Sequence, residues 1–141
     1  MLGTYLTKSL HETQELAKKV AKNIAIGTVV ALNGDLGTGK TAFTQGFAKA
    51  MGITEAVGSP TFKLVSEYLG MEKYLYHIDC YRLKNEQQFI NIGGEEYLNP
   101  VKGITVIEWA DIIEEILPNS TIFINFKRIS GNLDYREIII N

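Results

Sequence analysis

Eight residues constrain this chain more than any others. Gly34-Asp35-Leu36-Gly37-Thr38-Gly39-Lys40-Thr41 fits the spacing G-x-x-x-x-G-K-[ST] at every fixed position. Backbone N–H groups in a glycine-rich turn of this kind converge into a nest for an anion. A helix starting at the same point adds the positive end of its dipole. The flanks supply that context. Thr28-Val29-Val30-Ala31-Leu32-Asn33 is a short apolar, β-branched run that reads as a buried strand. Behind the loop, Phe43, Phe47, Ala48, Ala50 and Met51 line one face of a helix that stops at Gly52. Strand, loop and helix together predict a nucleoside triphosphate site, with Lys40 reaching the β/γ-phosphates and the Thr41 hydroxyl on Mg²⁺. The loop backbone from Asp35 through Gly39 would cradle the phosphates.

Size and charge bound what surrounds that loop. At 141 residues the chain is read as one domain, residues 1–141. Hydrophobic and charged fractions of 45% and 21% are those of an ordinary globule. Net charge is −2, and the fourteen lysines and arginines are scattered. No basic stripe marks a surface for RNA or DNA. Cys80 is the single cysteine, so no internal disulfide forms, which suits a reducing cytosol. Met1 to Ser9 lacks the basic stretch and apolar core of a signal peptide, and no apolar run could span a bilayer. A cytoplasmic protein without a membrane segment is the expectation.

The remaining chain divides into short elements. Leu2 to Thr7 suggests a strand. Ser9-Leu10-His11-Glu12 reads as a capping box, and Leu16, Val20 and Ile24 carry the helix behind it to about Ala25. Thr61 to Leu69 and Lys73 to Asp79 read as antiparallel strands joined at Gly70-Met71-Glu72. Glu86 to Leu98 holds helical pieces broken at Gly93-Gly94. Ile104 to Ile107 is a buried strand ending at Glu108-Trp109, and Asp111 to Leu117 is a short helix stopped by Pro118. Ile122, Ile124 and Phe126 alternate, the chain turns at Gly131-Asn132, and Tyr135 to Ile140 returns. The predicted class is α/β: a P-loop NTPase-like three-layer α/β/α domain with a mixed sheet and a C-terminal antiparallel hairpin. The order of strands does not follow from the pattern.

Turnover at such a loop needs a second acid and a means of positioning water. Ligands of open α/β sheets gather at the carboxyl ends of strands. Asp79 ends one strand and Glu108 another, and each is a candidate beside the alternative of a plain solvated carboxylate. Ser59-Pro60-Thr61-Phe62 is either a turn before a strand or a switch in which Thr61 meets the γ-phosphate. His77, Asp79 and Cys80 cluster, but without zinc spacing. Arg82 reads as a charge stabiliser or a structural ion pair, and Trp109 as core or interface anchor. The Ser9 region and the hairpin near Arg128 are candidate walls for a base.

Four motifs in order carry a resemblance: Gly34 to Thr41, Ser59-Pro60-Thr61-Phe62, His77-Ile78-Asp79-Cys80-Tyr81-Arg82-Leu83 and Ile107-Glu108-Trp109. Together they resemble the TsaE (YjeE-type) ATPases of bacterial tRNA threonylcarbamoyladenosine synthesis, over essentially the whole chain. The resemblance implies ATP and Mg²⁺ as cofactors. It implies a TsaD–TsaB transferase pair as partner, with tRNA reached only through that pair and no part for DNA or membrane. ATP hydrolysis would reset the pair between turnovers, and the transferase site would lie in the partner. By the same resemblance, Lys40, Asp79 and Glu108 are catalytic, Thr41 and Glu108 hold Mg²⁺, and Thr61 belongs to the switch. Arg82 and Trp109 fall at positions of partner contact or support. Ala110-Asp111 departs from many relatives, which have proline or glycine after the tryptophan.

Three other activities compete. A small-molecule kinase would need an acceptor pocket and an arginine-bearing lid, for which three arginines are a thin supply. A GTPase would carry Asn-Lys-x-Asp, which is absent. An assembly factor would use binding and leave hydrolysis incidental.

Overall fold

Seven strands form one mixed sheet in the order β1-β7-β6-β2-β5-β4-β3 in the computed structural model, which describes residues 2–58 and 64–141. The strands are β1 (Gly3–Thr7), β2 (Val29–Asn33), β3 (Val65–Leu69), β4 (Tyr74–Asp79), β5 (Gly103–Glu108), β6 (Ile122–Ile129) and β7 (Asn132–Ile140). The helices are α1 (Leu10–Lys22), α2 (Lys40–Ala50) and α3 (Glu86–Asn91), with 3₁₀ helices at Gly94–Leu98 and Ala110–Ile116. The central strands β6, β2, β5 and β4 run parallel, whereas β3, β7 and β1 are antiparallel to their neighbours. The expected mixed sheet and terminal hairpin are therefore present.

Alternation along the strands builds a core on each face. Val30 and Leu32 of β2, Val106 of β5 and Phe126 of β6 pack with Leu16, Val20, Phe43 and Phe47 under α1 and α2. Val29, Ala31 and Ile107 point the other way, onto Phe89, Ala110 and Ile113. The result is the three-layer α/β/α arrangement. Every residue of β5 is buried, because β2 and β4 flank it and helices cover both faces. A glutamate at its end is therefore out of place as a mere surface charge.

Local chemistry explains the helix limits. Ser9 Oγ accepts from the Glu12 amide at 3.1 Å, as the capping box requires, while Glu12 reaches back to the Lys8 amide instead of that of Ser9. Helix α1 stops at Lys22, short of the expected Ala25, because Asn23 caps it with its own side chain on the Lys19 carbonyl, 2.8 Å away. The 110–116 segment is a 3₁₀ helix with a non-helical residue at Ile113, more tightly wound than the helix expected there. The α1–α2 approach is close: a Cβ on Gly46 would lie 2.4 Å from the Gln14 carbonyl oxygen.

The expected Thr61–Leu69 strand is seen as β3 from Val65, in register with β4 from Val65↔Ile78 to Leu69↔Tyr74. The Ser59-Pro60-Thr61-Phe62 segment, with the expected switch at Thr61, lies outside the described residues. Among those described, no helix is long and apolar enough to cross a membrane.

Candidate functional site

Strand β2 delivers the chain to the glycine loop, and α2 begins at Lys40 itself. Gly39 is its N-cap with φ 103°, a left-handed conformation that a side chain disfavours, so glycine here is a backbone requirement. Thr38 closes the turn, its Oγ1 donating to the Asp35 carbonyl at 2.6 Å and its amide to the same oxygen at 3.2 Å. The first amides of an α-helix have no acceptor inside the helix, and the positive end of its dipole lies at the same point, which is why helix N-termini suit anions. The first turns of α1 flank the loop, since a Cβ on Gly39 would stand 3.8 Å from Thr13 Cγ2.

Lys40 is buried, which is unusual for a lysine. Its ammonium donates to the Gly34 carbonyl and sits 3.9 Å from the centre of the Trp109 ring. Burial pulls its pKa down, and the charges of Glu108, Asp79, Asp35 and Asp111 pull it back up. The loop lysine thus waits inside a ring of acids.

Glu108 and Asp79 share that ring for a topological reason. Parallel register sets Leu32 of β2 beside Glu108 of β5, and Glu108 beside Asp79 of β4. Both acids therefore end neighbouring strands at the carboxyl edge, Glu108 on the strand next to the one that feeds the loop and Asp79 on the strand beyond. Burial raises the Asp79 carboxyl above its usual range and Glu108's charge adds to the rise; the Tyr81 amide, donating to Oδ1 at 2.9 Å, opposes it, as do His77 and Lys40. Glu108 is buried and bonded to His77, Nε2 to Oε2 at 2.6 Å. Hard oxygen donors of this kind suit Mg²⁺, which binds through one or two carboxylates and fills its sphere with water and phosphate. No group of three or more His, Cys, Asp or Glu that could cage a metal occurs among the described residues.

The structure adds residues that the sequence did not single out. Arg136 of β7 donates to the Thr38 carbonyl at 3.1 Å and the Gly37 carbonyl at 3.2 Å. It also bonds the carbonyls of Leu133 and Tyr135. Arg128 of β6 donates to the Leu36 carbonyl at 2.5 Å. Arg128, a candidate wall for a base, is thus engaged with the loop backbone. The hairpin thus grips the loop through the carbonyls of Leu36, Gly37 and Thr38. His77 was set aside for want of zinc spacing, yet its ring is in the site.

Trp109 follows Glu108 with φ 57°, the one non-glycine residue at positive φ among those described. A left-handed tryptophan stores on the order of 1–3 kcal/mol of strain, of the kind that gathers at functional sites. The bend lays its ring over Lys40 and 5.0 Å from Tyr81. Trp109 is both core and cover: it packs on the second core and roofs the lysine. Arg82 is exposed and forms no ion pair among the described residues.

Comparison with known proteins finds relatives over nearly the whole chain. The family model for threonylcarbamoyl adenosine biosynthesis protein TsaE matches residues 7–138. The chain is 43% identical over 132 residues to the tRNA threonylcarbamoyladenosine biosynthesis protein TsaE of Bacillus subtilis (strain 168), covering 94% of this chain and 80% of the relative. To the protein of that name from Treponema pallidum (strain Nichols) it is 37% identical over 136 residues, covering 96% and 97%. The crystal structure of Bacillus subtilis YdiB has a TM-score of 0.81 at 38% identity, covering 98% of this chain and 83% of that one.

Proposed function

The chain belongs to the TsaE family, and from that membership we propose that it is a Mg²⁺-dependent ATPase serving formation of threonylcarbamoyladenosine in tRNA. One observation carries the chemistry: Glu108 ends the strand beside the one that feeds the loop, Asp79 ends the next strand, and the loop's lysine is already buried among carboxylates. Phosphoryl transfer needs positioning and charge compensation, and little covalent help. Those are the things this site is built to give.

The roles divide as follows. Asp35 to Gly39 cradle the phosphates with backbone amides, and Lys40 leaves the Gly34 carbonyl to meet the β/γ-phosphates. Thr41 and Glu108 would hold Mg²⁺, which would neutralise charge on the phosphates. Asp79 would serve the metal and the attacking water, and Thr61 would belong to the switch that meets the γ-phosphate. The chain acts as one domain over residues 1–141, in the cytoplasm. Its partner is a TsaD–TsaB-type transferase pair that carries the threonylcarbamoyl site and contacts tRNA. A net charge of −2 without a basic stripe supports that division, since tRNA binding by this chain would need one.

The competing activities make different demands. A kinase lid needs a mobile arginine; Arg128 and Arg136 are tied to loop carbonyls, which leaves Arg82 alone for that part. In a hydrolysis assay with labelled ATP, the γ-phosphate is expected in water as inorganic phosphate; its appearance on a small acceptor alone would point to a kinase. Glu108→Ala is expected to bind ATP without hydrolysing it and to fail in repeated rounds of tRNA modification. Full support of many rounds by that variant would make the chain an assembly factor.

A further inference from the structure

His77 is a fully buried histidine that neither the phosphate loop nor the metal site uses. It lies two residues before Asp79 on β4, so both side chains leave one face of the sheet, the face that Glu108 shares with Val106 across the register. Its Nε2 is 2.6 Å from Glu108 Oε2, and its Nδ1 has no hydrogen-bond partner. These two facts select the tautomer. With the proton on Nε2 the ring donates to the carboxylate and leaves only a bare acceptor at Nδ1. With the proton on Nδ1, a buried N–H would be orphaned and two acceptors would face each other at 2.6 Å.

We propose that His77 is a positioning residue for Glu108. The Nε2–H holds Oε2 and fixes one orientation of the carboxylate, leaving Oε1 for the nucleotide side. The proposal rests on the reading of Glu108 as the acting acid. A purely structural role explains less. Strands β4 and β5 are already paired along their whole length, from Tyr74↔Gly103 to Asp79↔Glu108, so the sheet does not need this bond. A buried polar pair is also no more stabilising than an apolar pair of similar volume. What the bond supplies is one defined direction for a carboxylate, and histidine–carboxylate partners behind a metal ligand typically contribute 10–100-fold to affinity or activity.

The test uses His77→Leu, which removes the donor, and His77→Gln, which keeps a side-chain N–H close to the place of Nε2. Three readouts are taken: ¹⁵N–¹H spectra of the ring in protein free of nucleotide and metal, ATP affinity by calorimetry in EDTA, and kcat for phosphate release with Mg²⁺. The expected result is a ring protonated at Nε2 whose signal moves in Glu108→Gln. In His77→Leu, kcat falls about 10–100-fold while metal-free ATP affinity stays within about twofold, and His77→Gln recovers most of the loss. A ring protonated at Nδ1, wild-type kcat in His77→Leu, or a loss of ATP affinity matching the loss of kcat would overturn the proposal. Should His77→Leu not fold, the tautomer and His77→Gln decide. Glu108→Gln separates the two levels: if it hydrolyses ATP at the wild-type rate, the role of Glu108 itself falls. If it is inactive while His77→Leu is fully active, only the positioning role falls.

Discussion

Lys40 is held in readiness by three kinds of contact: a carbonyl, an aromatic face and a surround of carboxylates. Exchange of the Gly34 carbonyl for phosphate turns a neutral acceptor into a charged one, and hydrogen bonds to charged groups contribute about 1.5–3 kcal/mol. Lys40→Ala should therefore weaken ATP binding by roughly 10- to 100-fold in calorimetry, and unchanged affinity would remove Lys40 from the site. Asp79 gives a pH-dependent prediction. Its carboxyl is raised above its ordinary 3.8, first by burial. The native state then holds the proton more tightly than the unfolded chain does. This group's contribution to stability is thus present at low pH and is lost as pH rises through the window opening near 3.8. Asn at position 79 can still accept from the Tyr81 amide, so Asp79→Asn should gain stability over wild type at neutral pH, and the gain should shrink below that window. Urea midpoints at the two pH values check it; an equal difference at both contradicts it. Cys80 is buried and its thiol is pushed up to about 12, burial being the main cause. Iodoacetamide should label it only at the rate of unfolding, and fast labelling of folded protein at pH 8 would contradict the burial.

At the scale of elements, two contacts carry weight. Helices α1 and α2 meet backbone to backbone at Gly46, where an added Cβ would strike Gln14 O, Cα and C at 2.4 to 2.9 Å. Those atoms are main chain and cannot rotate away. Gly46→Ala should cost about 1–3 kcal/mol or more in chemical denaturation; a neutral substitution would mean that the helices are free to separate. The hairpin's hold on the loop is the second contact. Arg136→Ala removes the bonds to the Gly37 and Thr38 carbonyls, so ATP affinity should fall with little change in the melting temperature. Much at this scale could be read in advance. The N-cap at Ser9, the break at Gly93 and the alternation Ile122-Ile124-Phe126 are local chemistry, and each sits where the pattern put it. The roles of Arg136 and His77 could not be read. Arg136 contacts a backbone 98 residues away in the chain, and His77 meets a carboxylate 31 residues off. Both contacts exist only because of which strands become neighbours.

For the whole molecule, that neighbour relation is the missing information. Periodicity gives the strands and the face each residue takes, and chemistry at fixed spacing gives the loop. Strand order decides which acids stand beside the loop. With β5 between β2 and β4, Glu108 ends the strand next to the one that feeds the loop and Asp79 ends the strand beyond it; with β5 at an edge they would not. The same order carries the terminal hairpin across to the loop's outer side. A net charge of −2 with scattered lysines and arginines accompanies the glycine loop and its acids, and the proposed function accordingly leaves tRNA contact to a partner. The most direct test is the rate of phosphate release from ATP, measured with and without the TsaD–TsaB pair. The account predicts Mg²⁺-dependent release that rises strongly when the pair is added and is lost in Glu108→Ala. Release that ignores the pair, or that persists undiminished in Glu108→Ala, would contradict it.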